Sequence, residues 1–207
     1  KKMMTAAPGT YHHSMMVASL AEGAAEAIGA NALLARTGAM YHDVGKLRRP
    51  QYFKENQNGH NIHDTLQPEE SAGFIIAHQK DAMSYLSRYR MPSEVKKIVA
   101  EHHGTTMVTY FYYKAKQMQS QDGEPVIERL FRYQGNLPST KESAIVMLAD
   151  SCEAAVRSMS EPTREEVAEM VRKIVQGKMD DGQLKMSPLT LGEINQIEKS
   201  FLVTFTG

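Results

Sequence analysis

The sequence predicts an all-α protein, and three observations carry that expectation. Apolar residues recur at helical spacing in segment after segment, with no convincing strand alternation. Glycine follows two histidine-bearing segments, at His102-His103-Gly104 and at Gly45 after His42-Asp43, where a helix terminator is expected. Toward the C-terminus, Ser139 with Glu142, Thr163 with Glu166 and Thr190 with Glu193 have capping-box spacing, each marking a helix start.

In chain order, a first helix is expected over about residues 11–28, where Met16, Leu20, Ala24, Ala27 and Ile28 form one stripe and His13 lies on it. Residues 32–44 are apolar enough for a buried second helix, which delivers His42-Asp43 at its C-terminal end. A third helix, about 69–89, places Ile75, His78, Ala82, Tyr85 and Leu86 on one face. A fourth starts at Ser93 and stops at the histidine doublet, and another covers about 106–118. Residues 47–66 and 120–138 are rich in proline, glycine and asparagine or glutamine. Segments of that length without regular structure are functional loops or disordered, and both could border a pocket.

At 207 residues and 42% hydrophobic, the chain can bury one core, so residues 1–207 are expected to form a single domain. Its core spans about 7–157, with C-terminal helices over about 163–204. Lysine plus arginine (24) balances aspartate plus glutamate (24), which argues against long nucleic acid as a partner. The single cysteine, Cys152, excludes a disulfide framework and a multi-thiolate zinc site. No apolar run reaches the ~18 residues a membrane helix needs. The opening Lys1-Lys2-Met3-Met4 suggests a domain cut from a longer protein, with hydrophobic helices expected upstream.

The chemistry-bearing residues are His13, the pair His42-Asp43, His78, the doublet His102-His103, and Asp150. Five imidazoles and two carboxylates exceed what one tetrahedral ion takes, but suit two neighbouring ions sharing a bridging carboxylate. Each has a plainer alternative. His13 or His78 could be a core histidine with a satisfied hydrogen bond, and adjacent histidines on a helix point roughly 100° apart. Asp150 could be a helix C-cap, although a carboxylate closing the apolar run from Ala144 to Ala149 is costly unless paired or metal-bound. The joint pattern favours metal. His12, His60 and His63 are read as surface, loop or supporting residues.

The order His, His-Asp, His, His-His, Asp on successive helices resembles the HD-domain metal-dependent phosphohydrolases. More narrowly, Ala7-Pro8-Gly9-Thr10-Tyr11-His12-His13-Ser14, Tyr41-His42-Asp43-Val44-Gly45-Lys46, Glu101-His102-His103-Gly104-Thr105-Thr106 and the segment Lys141 to Asp150 resemble the cytosolic domain of seven-transmembrane HD phosphodiesterases of the PgpH type. The similarity runs from about Ala7 to Arg157 and weakens beyond it; Ile62 stands where relatives are expected to carry proline after asparagine. The resemblance implies an HD-domain helical bundle with a dinuclear metal site, two divalent ions (iron or manganese), and hydrolysis of cyclic di-AMP to linear pApA. It also implies a bacterial, membrane-anchored parent protein with this domain on the cytoplasmic side. Carried over by position, the metal ligands are His13, His42, Asp43, His78, His102, His103 and Asp150.

A phosphodiester repels hydroxide, so its hydrolysis needs a nucleophile generated at neutral pH and positive charge on the phosphoryl oxygens. One division of ligands gives His13, His42 and Asp150 to one ion and His78, His102 and His103 to the other, with Asp43 bridging. Donor chemistry leaves iron, manganese, cobalt and zinc open. Asp43 and Lys46 are the expected catalytic residues, Lys46 as a point charge on a phosphate oxygen or, more plainly, as a solvated lysine at a helix end. Tyr110-Phe111-Tyr112-Tyr113 with Lys114 could stack a base, or be core; Arg48, Arg49, Asn56 and Gln57 could reach a second phosphate or ribose, or be solvated loop. Two alternatives stand beside the cyclic di-AMP reading: an HD phosphohydrolase for another nucleotide, such as cyclic di-GMP, and a non-catalytic nucleotide-sensing HD module.

Overall fold

The computed structural model describes residues 1–119 and 124–207; the first four residues of the 120–138 loop lie outside it. Nine helices carry the described chain: α1 (Lys2–Ala6), α2 (Pro8–Ala27), α3 (Ala32–Tyr41), α4 (Pro68–Leu86), α5 (Ser93–Glu101), α6 (Thr109–Met118), α7 (Lys141–Arg157), α8 (Arg164–Asp180) and α9 (Leu191–Thr206). Among the described residues there is no strand, only an isolated antiparallel bridge between Met107 and Arg132. No helix among them is long and apolar enough to cross a membrane.

Two helices organise the bundle. α2 starts with proline at its first position, where a missing N–H costs nothing, and packs on α3, α7 and α9. α7 is buried without a break from Ser143 to Asp150, as a helix enclosed on all sides must be, and packs on α2, α3, α5 and α8. The main core joins Leu20, Ile98, Ile145, Met147, Leu148, Ile197 and Phe201, so the C-terminal helices close the same core as the N-terminal ones. α4 and α6 enclose a smaller cluster around Phe111 and Phe131.

Several boundaries differ from the sequence reading, each for a local reason. α3 ends at Tyr41, and Gly45 does not terminate it; Gly45 lies in a 3₁₀ turn, Val44–Arg48, pressed against α4. A Cβ at Gly45 would sit 1.9 Å from the His78 carbonyl oxygen, so glycine is there for close approach. α7 is capped by Thr140, whose hydroxyl accepts from Ser143 N–H; Ser139 instead donates its N–H and hydroxyl to the buried Glu101 carboxylate. The capping boxes at Thr163 and Thr190 form as expected. Gly104 does end the α5 segment, in the left-handed region at φ 53°. The 47–66 loop is a chain of short 3₁₀ turns tied down by side chains.

Candidate metal centre

α2, the C-terminal end of α3, α4, the end of α5 and α7 converge on one point, and their histidines meet there. His42, His78 and His102 share one local device: each Nδ1 lies 2.5 to 2.7 Å from the backbone carbonyl three residues earlier, on Ala39, Ile75 and Val99. A carbonyl can only accept, so Nδ1 carries a proton and Nε2 is the atom each ring turns toward the cluster. These three Nε2 atoms are buried without a hydrogen-bond partner, as is Asp43 Oδ1, while Asp43 Oδ2 has only the Lys46 ammonium, at 2.7 Å. Burying four such atoms unpaired is expensive. The donor set, imidazole Nε2 plus carboxylate oxygen with Nδ1 held from behind, is what a divalent cation takes, so the residues fit a metal.

Asp43 stands between two sets of donors. Its Oδ2 is 3.3 Å from His42 Nε2 and 3.5 Å from His13 Nε2, while Oδ1 is 3.3 Å from His78 Nε2. Donor atoms of Asp43, His78, His102 and His103 lie within 4.8 Å of one another, as do those of His13, His42 and Asp43, and of His42, His102 and Asp150. Asp150 reaches both sets, 3.0 Å from His13 Nε2 and 3.6 Å from His103 Nδ1. Because α7 continues to Arg157, Asp150 is not a helix cap. All seven sequence-proposed ligands are thus brought together. His102 and His103 both follow the last residue of α5, which frees them from the 100° divergence of a regular helix, and their ring centroids are 3.9 Å apart.

The electrostatics show how strongly the two carboxylates act. Burial pushes the His42 imidazole down, yet Asp43 and Asp150 more than offset this and hold it protonated up to about 10. Burial, reinforced by His42 and His78, pushes His102 down to about 3. Against the opposing cost of burial, His42 and Lys46 hold the Asp43 carboxyl well below its ordinary range. The cluster holds positive charge on its own side chains, and a divalent cation supplies that charge to the same oxygens.

Three participants escaped the sequence reading. Glu153, buried on α7, accepts the Nδ1 proton of His13 and pairs with Arg157 at 3.2 Å. Its spacing of three residues from Asp150 puts both on one helix face, a signal that was legible. Glu55 accepts from Lys46 Nζ at 2.8 Å and from the Thr10 hydroxyl at 3.1 Å, and it sits in a loop without periodicity to betray it. Tyr133 stacks on His103, with ring centroids 4.1 Å apart and planes 23° apart.

Lys46 lies 2.7 Å from Asp43 Oδ2, in an ion pair shared with Glu55 and beneath the Phe53 ring, so it is not a solvated lysine. It lines the pocket over the histidines together with Phe53, Tyr133 and Lys178. The proposed loop contacts lie elsewhere. Arg48 pairs with Asp81, Arg49 lies over Phe74, Asn56 binds Thr10 and Gln57 binds the Gln51 carbonyl. The aromatic run divides: Phe111 is buried, Tyr112 packs on Phe131, and Tyr110 and Tyr113 are exposed. His63 is a buried loop residue, its Nε2 donating to the Tyr52 carbonyl, while His12 and His60 are exposed.

Residues 10–155 match the family described as HD domain, a span containing every ligand named above. The chain belongs to the HD-domain family. Its whole length aligns at 49% identity with 29% of the cyclic-di-AMP phosphodiesterase PgpH of Bacillus subtilis (strain 168), and at 47% identity with 28% of the PgpH of Listeria monocytogenes. The chain therefore spans less than a third of the curated relatives it matches. The crystal structure of the L. monocytogenes PgpH HD domain superposes with a TM-score of 0.93 at 47% identity, covering all of this chain and 96% of that one. The same domain in complex with cyclic-di-AMP gives a TM-score of 0.94, covering 95% of it. The HD-domain resemblance, the all-α bundle and the PgpH likeness of the sequence reading hold.

Proposed function

We propose that this HD domain is a metal-dependent phosphodiesterase that hydrolyses cyclic di-AMP to linear pApA. The observation that carries the reading is the set of Nε2 atoms of His42, His78 and His102, buried without hydrogen-bond partners around the buried carboxylate of Asp43. Two divalent ions, iron or manganese, would be held by His13, His42 and Asp150 and by His78, His102 and His103, with Asp43 between them. When bound, they supply a nucleophile at neutral pH and positive charge for the phosphoryl oxygens. Asp43 fixes the spacing of the two donor sets through its two oxygens. Lys46 holds Asp43 in that orientation and adds a further cation to the pocket wall, available to a phosphate oxygen of the substrate. Tyr133 and Phe53 wall the pocket with rings.

The choice of cyclic di-AMP rests on the relatives, both called cyclic-di-AMP phosphodiesterases, and on the neighbour solved with that ligand. Family resemblance extends the proposal to a longer, membrane-anchored parent with this domain on the cytoplasmic side; an initiator methionine within a few residues of Lys1 in the reading frame would contradict it. Incubation of the metal-loaded domain with a panel of cyclic dinucleotides, with products identified by mass, tests the activity. Faster conversion of cyclic di-AMP than of cyclic di-GMP, with pApA as product, is expected. Preference for cyclic di-GMP would reassign the substrate, and binding without turnover in a fully metallated domain would make it a sensor.

A further inference from the structure

The pocket over the histidines has a volume of about 290 Å³, at the small end for a ligand site, which typically runs ~300–1,000 Å³. It does not end there. A second cavity of about 470 Å³ shares Thr106, Met107, Ser151 and Lys178 with it and extends outward to Tyr113 and Lys173. The two join into one groove leading away from the metal centre, with room beyond the histidines for a second part of a ligand. Lys178, near the end of α8, stands at the junction and lines both parts.

The cations of the groove are not equivalent. Arg157 is engaged by Glu153, Lys46 by Asp43 and Glu55, and Arg132 by Asp181 and Glu128. Lys173, at the outer end, is exposed to water, whereas Lys178 is half-buried and, among the described residues, has neither hydrogen bond nor ion pair. Burial draws its ammonium below the usual lysine range, against Asp150 and Asp181, whose fields reach it without contact. An ammonium withdrawn from water and left unpaired lowers stability, unless a ligand supplies the anion. Tyr113, exposed on the outer wall, offers a ring face to a base.

We propose that Lys178 binds the second, uncleaved phosphodiester of the cyclic dinucleotide while the scissile one sits at the histidine cluster. This rests on the diesterase reading above, and it names the residue that makes a two-phosphate ligand preferable to a one-phosphate diester.

The test compares wild type, Lys178→Gln, Lys178→Met and Lys178→Arg as metal-loaded domains, on cyclic di-AMP and on bis(p-nitrophenyl) phosphate. For Gln and Met, KM for the cyclic dinucleotide should rise about tenfold more than KM for the small diester, the size of one charge-assisted hydrogen bond. Arg should restore most of the difference, and metal content should not move. Lys178→Met should also unfold no earlier than wild type, because it removes a half-buried unpaired charge; a structural lysine would lose stability and both activities together. Equal losses on both diesters, or an unmoved KM, overturn the proposal. A wild type that turns over only the small diester overturns the diesterase reading and this one with it.

Discussion

Glu153 on α7 accepts the Nδ1 proton of His13 on α2, whereas His42, His78 and His102 are each oriented by a backbone carbonyl. A carbonyl set by the helix cannot be mutated away, but Glu153 can. Glu153→Ala is expected to weaken the ion held by His13 by about 10–100-fold, the usual cost of losing such a supporting partner. Metal content titrated against free metal should then show one ion lost well before the other. Two ions lost together, or neither, would contradict this.

Asp43 is the carboxylate common to the His13 and His78 sides. Asp43→Ala should abolish diesterase activity and lower metal content while circular dichroism keeps its helical signal, because Lys46 retains Glu55 at 2.8 Å. Full turnover by a folded Asp43→Ala protein would end the two-ion mechanism.

Protonation of the metal-stripped domain gives a signed expectation. An unfolded histidine takes its proton near pH ~6.5, but folded His102 refuses it until about 3. Within that window the unfolded state binds more protons, so stability falls as the pH is lowered, by at most about 1.4 kcal/mol per pH unit from this residue. His103, pushed down by burial and by His102, acts in the same sense. His42 works the other way: its folded value of about 10 lies above the unfolded one. Its contribution is complete below ~6.5 and fades toward 10, so it cannot offset the acid loss. Urea midpoints should therefore fall between pH 6.5 and 4; a flat profile would refute the assignment.

Metal uptake near pH 8 must displace the proton that Asp43 and Asp150 hold on His42. Calorimetric titration with manganese in buffers of different ionisation enthalpy should report net proton release. No release would mean that His42 does not coordinate.

Helical periodicity carried most of the fold, because a buried stripe repeats whatever its neighbours are. The stripes of α2 and α4 pointed His13 and His78 inward, and the apolar run of α7 exposed Asp150 as a misplaced charge. The missed groups depend on tertiary contact. Glu55 and Tyr133 reach the site from segments whose path no local rule fixes, and Phe111 and Tyr112 turned to the core because α6 packs on α4. Ser139 had the cap spacing, yet the buried Glu101 carboxylate claimed it, and the cap moved to Thr140.

Gly45 shows the same limit and supports the sharpest packing test. Glycine after a helix usually supplies a left-handed stop, and the sequence alone suggests that role, whereas the function of Gly45 is to let the Val44–Arg48 turn touch α4. The missing Cβ would lie 1.9 Å from the His78 carbonyl oxygen and 2.5 Å from Ala82 N, both backbone atoms that no rotamer change can move aside. Gly45→Ala should therefore push α4 away, costing about 1–3 kcal/mol and stretching the 3.3 Å approach of His78 Nε2 to Asp43 Oδ1. Gly73, exposed on the same helix, has nothing within 4 Å of an added Cβ, so Gly73→Ala should be neutral or stabilise by about 0.5–1 kcal/mol. Melting temperature and metal affinity should fall together for the first variant and hold for the second. If Gly45→Ala melted later and bound metal normally, the contact between the turn and α4 would not be what positions His78.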